Sequence, residues 1–147
     1  MSADYPSMTT AEIRSKFLNF FEERGLKLYP SSSLVPDDPS LLLANAGMNQ
    51  FKEYYQGKKT MKEIGAISCQ KCVRTNDIDC IGEDGRHLSF FEMLGDFSFG
   101  GVSKEQACAW AFELITKEFK LPLDRLYFTV FTEDDETCLL YTSPSPR

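Results

Sequence analysis

Three residues that stand close together in the sequence could share one piece of chemistry. Arg74 ends one run of apolar and small residues, and His87 and Phe91 lie in the next. An arginine guanidinium is a planar fork of donors that fits two phosphate oxygens at once. A histidine can carry a cation near neutral pH, and a phenylalanine offers a face for stacking. Together they suit a nucleoside triphosphate: Arg74 on the α-phosphate, His87 on the terminal phosphates, Phe91 on adenine. His87 is the only histidine in the chain. A lone histidine or strand arginine is commonly structural, so residue types alone leave the point open.

The cysteines offer a second chemistry. There are five, at 69, 72, 80, 108 and 138. Cys69 and Cys72, with Cys80 and His87, have a spacing that could hold zinc. However, Cys69 and Cys72 fall in a stretch that reads as strand, where residues three apart point to opposite faces. Gln70 and Lys71 between them supply no turn, so no metal site is expected here. The run 95–101 (GDFSFGG) lacks the glycine spacing and the lysine of a phosphate loop. An odd number of cysteines, with no secretory segment at the start, points to free thiols and a cytoplasmic location. No run is long and apolar enough for a membrane span.

Elements must bring Arg74 and His87 together. Residues 66–74 and 86–94 read as two strands, and pairing them puts both side chains at one end of a sheet. The segment between them holds Gly82, Gly85 and four acidic residues. It is too long for a tight hairpin and has the character of a functional loop. By period two, His87, Ser89, Phe91, Met93 and Gly95 share one face of the second strand. Arg86, Leu88, Phe90, Glu92 and Leu94 share the other, which is bulkier and suits a core.

The rest reads as an α+β scaffold, an antiparallel sheet flanked by helices. A helix over 9–24 starts with a Thr9–Glu12 capping box, buries Ile13, Phe17, Phe20 and Phe21, and stops at Gly25. A second spans 104–119, capped by Ser103 and Gln106, with Ala107, Trp110, Ala111, Leu114 and Ile115 as its buried stripe. Shorter elements are strands at 26–29 and 126–131, a buried run at 41–43, and a helix at 48–55 ended by Gly57. The net charge of -6 argues against the chain alone gripping nucleic acid through phosphate neutralisation. Lys58, Lys59 and Lys62 are the one compact basic cluster, read as a solvated face.

The stretches 31–52 (SSSLVPDDPSLLLANAGMNQFK), 70–74 (QKCVR) and 86–100 (RHLSFFEMLGDFSFG) strongly resemble the alanyl-tRNA synthetases. The likeness runs from about residue 9 to Thr137. It implies part of a class II synthetase core that forms alanyl-adenylate from alanine and ATP with magnesium, then charges tRNA(Ala). Pro36 falls in the region resembling class II motif 1. Arg74 matches the motif 2 arginine, expected on the ATP α-phosphate and the alanine carboxylate, and is the catalytic candidate. The second-strand pair of that motif matches twice, as Arg86 with Phe90 and as His87 with Phe91. The face argument favours His87 and Phe91, which with Arg74 form the expected ATP site.

The sequence also departs from the family. Asn76 stands where an acidic residue is usual, two places after the motif 2 arginine. Motif 3, the alanine pocket and the editing domain, where zinc would be expected, are absent. These departures imply residues 1–137 as the amino-terminal portion of the catalytic domain, inactive on its own. An exposed sheet edge then favours self-association. Residues 138–147 (CLLYTSPSPR) break the pattern and read as a foreign or disordered tail. The alternative is a non-catalytic interaction module built on part of the same fold.

Overall fold

A computed structural model describes residues 7–76 and 78–142. They form two compact units: residues 17–101, and residues up to 16 together with those from 102 onward. Helix α1 (Thr10–Glu22) runs through the boundary. Its start is the expected capping box: the Thr9 N–H and hydroxyl donate to Glu12 Oε2 at 2.7 Å, and the Glu12 N–H donates back to Thr9 Oγ1 at 3.2 Å. Phe17, Phe20 and Phe21 are buried, and Phe21 meets both other rings edge to face. Gly25 ends the helix at φ +87°, a left-handed conformation that glycine adopts without strain.

The 17–101 unit is built on three strands: β1 (Lys27–Leu28), β2 (Gly65–Val73) and β3 (Phe90–Ser98), in the order β1-β2-β3. β2 and β3 pair antiparallel from Gly65↔Ser98 to Val73↔Phe90, as the sequence suggests. β1 joins β2 in parallel, so the sheet is mixed. Gly65 is required by its neighbour: a Cβ there would sit 2.5 Å from the Phe97 carbonyl oxygen.

Towards Arg74 the two faces of the sheet are used the opposite way round from the expectation, while further along β2 Ile67, on the other face, is fully buried as well. The face carrying Ser68, Gln70 and Cys72, paired with Gly95, Met93 and Phe91, is the covered one; all three β2 residues are at most 1% exposed. Phe90, expected in the core, is 51% exposed. Bulk did not decide the matter, because the small residues let the chain from 30 to 51 lie close across their face. Gln70 fixes that segment: its Oε1 accepts from the Ser32 N–H (2.8 Å), Ser32 Oγ (3.1 Å) and Gln50 Nε2 (3.1 Å). A 3₁₀ turn at Gly47–Phe51 and the short helix α2 (Lys52–Tyr55) complete the layer. Phe51, 1% exposed, is its centre, packed against Tyr29, Phe97 and Phe99. Residues 41–43 form no strand, and Leu42 is 93% exposed.

The second unit holds α3 (Lys104–Glu113) and α4 (Asp135–Thr142). Ser103 and Gln106 form the expected capping box of α3. The α-helix is shorter than expected: a π-turn takes over at Leu114–Glu118, and Lys120 adopts a left-handed φ of 53° before Pro122. Of the expected buried stripe only Leu114 is buried, and Ala107 is exposed. The alternating run 126–131 is not a strand. It finds no pairing partner among the described residues, and Tyr127 and Phe131 are exposed. Asp134 starts α4, accepting from the Thr137 N–H and hydroxyl. Lys104 pairs with Asp134 and Glu136, which ties the start of α3 to α4. The helix continues through residues 138–142, the first half of the segment read as a tail; residues 143–147 lie outside the described residues.

Candidate functional site

The site is assembled where β2 ends and β3 begins. Arg74 follows the last residue of β2, and its backbone N–H donates to the Ser89 carbonyl at 2.9 Å, just before β3. The neighbouring Val73 N–H donates to the Ala44 carbonyl at 2.9 Å, which brings the 44–45 segment alongside. The Asn45 carbonyl then accepts from Arg74 Nε at 3.0 Å. On the other side the guanidinium carbon lies 5.2 Å from the Phe91 ring centroid, within cation–π range. The arginine is thus held by a carbonyl and an aromatic face.

His87 arrives differently from the expectation. It lies in the loop, not on β3, which starts four residues later than the sequence suggests. Asp84 is the physical reason. Its Oδ1 accepts from the backbone N–H groups of Arg86 (2.9 Å) and His87 (3.0 Å). Those donors are taken by a side chain and cannot join a strand ladder. Gly85, at φ +67°, supplies the left-handed turn between Asp84 and those donors. The same carboxylate meets the imidazole: Oδ2 lies 2.5 Å from His87 Nδ1. The two backbone donors, with the imidazole adding to them, pull the Asp84 carboxyl down to about 2.

These residues line one pocket of about 300 Å³, formed by Arg74, Ile81, Arg86, His87, Leu88 and Phe91. Three residues singled out from sequence, Arg74, His87 and Phe91, meet there. Of the rival pair, Arg86 also reaches the pocket, whereas Phe90 does not line it. The site is therefore more cationic than a single arginine with a histidine. No carboxylate stands among these lining residues. Asn45, Ile81, Asp84 and Leu88 were not singled out from sequence. Asp84 carried a signal all the same, since Asp-Gly marks a turn whose side chain can cap the next amides.

A larger groove of about 550 Å³ in the same unit lies between the 32–39 segment and α2. Two of its lysines are neutralised locally: Lys52 pairs with Asp38 and Lys59 with Glu53, both at 2.5 Å. Lys58 and Lys59 are exposed, as the solvated-face reading expects. No disulfide joins any of the five cysteines among the described residues. Cys72 is buried on the covered face of β2, and Cys69 sits on the opposite, partly open face.

A strand, a loop and an antiparallel strand gather an arginine, a histidine and a phenylalanine at one sheet end, an arrangement of the class II synthetase kind. The family described as tRNA synthetases class II (A) matches residues 12–145, and the chain belongs to it. The match extends past Thr137, where the resemblance was expected to stop. An alanine–tRNA ligase from Synechocystis sp. (strain ATCC 27184 / PCC 6803 / Kazusa) is 50% identical over 141 residues, 96% of this chain and 16% of the relative. A chloroplastic/mitochondrial alanine–tRNA ligase of Sorghum bicolor is 55% identical over 124 residues, 84% of this chain and 13% of the relative. The alanine–tRNA ligase of Pseudothermotoga lettingae is 52% identical over 130 residues, 88% of this chain and 15% of the relative. The chain thus spans about one-sixth or less of the length of these relatives. No helix among the described residues is long and apolar enough to cross a membrane.

Proposed function

We propose that this chain carries the motif 2 half of the ATP site of an alanine–tRNA ligase, and that the pocket at the β2–β3 end receives ATP. The convergence of Arg74, His87 and Phe91 on one pocket carries the reading. In it, the Arg74 guanidinium forks to the α-phosphate and the alanine carboxylate. His87, with Arg86 beside it, meets the terminal phosphates, and Phe91 stacks on adenine. Magnesium accompanies ATP, as the class II family implies.

The chemistry asks little of side chains beyond alignment. The alanine carboxylate is already a nucleophile and needs no base. Its oxygen bonds to the α-phosphorus while the bond to the bridging oxygen of the β-phosphate breaks, giving alanyl-adenylate and pyrophosphate. Negative charge builds on the α-phosphate oxygens during attack. A guanidinium held in place beforehand by Asn45 and Phe91 meets that charge without reorganising. Transfer to tRNA(Ala) belongs to the longer ligase, in a reducing compartment such as the cytoplasm, and this segment alone completes neither step.

The test is ATP binding and alanine-dependent pyrophosphate exchange by the chain as it stands. The expected result is ATP binding that Arg74→Ala weakens, with exchange at background. Exchange above background that Arg74→Ala abolishes would show the segment to be a sufficient enzyme. Unchanged ATP binding in Arg74→Ala would remove the site.

A further inference from the structure

We propose that Asp84 is a positioning residue for this pocket: it holds the Nδ1 edge of His87, so that Nε2 is the edge presented to the bound anion. The inference rests on the ATP-site reading for its function, though not for its geometry. One carboxylate makes three contacts within three residues of itself. Oδ1 accepts from the Arg86 and His87 N–H groups, which fixes the backbone that carries these two lining residues. Oδ2 takes His87 Nδ1 at 2.5 Å, which fixes the ring. An ionised carboxylate only accepts, so Nδ1 must be the N–H. His87 lines the pocket and Asp84 does not, so the remaining nitrogen is the one on the pocket side. Hydrogen bonding at one ring nitrogen decides the role of the other.

The consequence is directional. In the neutral ring Nε2 is a bare acceptor, which a phosphate oxygen does not want. In the protonated ring Nε2–H is a donor aimed at the anion. Asp84 therefore reserves Nε2 for the ligand. The charged groups around that nitrogen are Arg74 and Arg86 on the lining and Asp84 behind the ring.

The single histidine makes the test clean, because its ring ¹⁵N signals in the full chain need no assignment by elimination. In the parent chain, with the ring neutral, the signals should report a fixed Nδ1–H tautomer. Asp84→Asn keeps an Oδ1 acceptor for the turn but places an amide donor at Nδ1, so the tautomer should invert to Nε2–H. Asp84→Ala should give the mixture of an unrestrained imidazole. MgATP binding by equilibrium dialysis is the second readout. Asp84→Ala and His87→Ala should each weaken it by about tenfold, the loss of one hydrogen bond to a charged group, and the double variant should be no worse than His87→Ala. A tautomer indifferent to both Asp84 substitutions overturns the positioning role, whatever ATP does. An inverted tautomer in Asp84→Asn with ATP binding unaffected by His87→Ala leaves the ring pairing intact and sinks the ATP-site reading instead.

Discussion

Arg74 lies against the face of Phe91, its guanidinium carbon 5.2 Å from the ring centroid, and this pairing is made by strand register. Phe91 is the cross-strand partner of Cys72, two residues before Arg74. The arginine sits one step past the end of the ladder, so its side chain swings back over the last same-face aromatic. A one-residue slip of β3 would put Phe90 there and turn Phe91 away.

The neighbouring phenylalanines should therefore separate cleanly. Phe91→Ala should weaken ATP binding by about 1–3 kcal/mol, the range for an aromatic stacked on a base. Phe90→Ala, at a half-exposed position, should change stability by no more than about 0.5 kcal/mol and leave ATP binding alone. Equilibrium dialysis and urea denaturation of both variants give the comparison. An ATP defect confined to Phe90→Ala would mean that the nucleotide pair is Arg86 and Phe90.

Gln70 should matter to stability far more than its polarity suggests. Gln70→Leu fits the space but leaves the part-buried Ser32 N–H and hydroxyl without their acceptor. A loss of about 1–3 kcal/mol is expected for such stranded donors, read as a lower urea midpoint. A midpoint at or above that of the parent chain would show the network to be dispensable.

The Asp84 turn should survive mild acid. A carboxyl held down to about 2 in the folded loop, against an ordinary value near 3.9, binds fewer protons folded than unfolded. Its contribution is complete above the ordinary value and disappears as pH falls through about 2. The carboxyl-linked transition of the Arg86 and His87 amide shifts should lie near 2, below the ordinary value. A transition of those amides centred on the ordinary carboxyl value would contradict the hydrogen bonds.

Apolar exposure in the 102-onward unit should promote association. Tyr127 is 92% and Phe131 71% exposed, and β3 leaves its outer edge unpaired among the described residues. Sedimentation velocity should show mass rising with concentration. A strictly monomeric chain at high concentration would rule this out.

Local rules were legible where the cause is local. Thr9–Glu12 and Ser103–Gln106 are capping boxes readable from four residues each, and Gly25 and Gly57 stop their helices by backbone freedom. Arg74 and Phe91 meet as read because pairing two strands leaves few ways to place them, whereas His87 reaches the pocket through the Asp84 turn. The covered face was not, because it depends on the 30–51 segment lying over Gln70, a contact between residues 38 apart. The start of β3 was misjudged because Asp84 competes with the ladder for two N–H groups. Residues 126–131 have strand composition, but a strand also needs a partner, and composition does not report one.

The central claim is that Arg74 meets charge at the α-phosphate through a preorganised fork. It is tested most directly by Arg74→Lys in an alanine–tRNA ligase of the relatives' full length that carries this segment. Lysine keeps the charge but is a point donor on a flexible stem, unable to bridge two oxygens in one plane. Alanine-dependent pyrophosphate exchange should fall by about 2–4 kcal/mol in transition-state stabilisation, the cost of one preorganised donor. ATP affinity should change little, because the charge appears only during attack. Exchange at the parent rate in a folded Arg74→Lys enzyme would contradict the account.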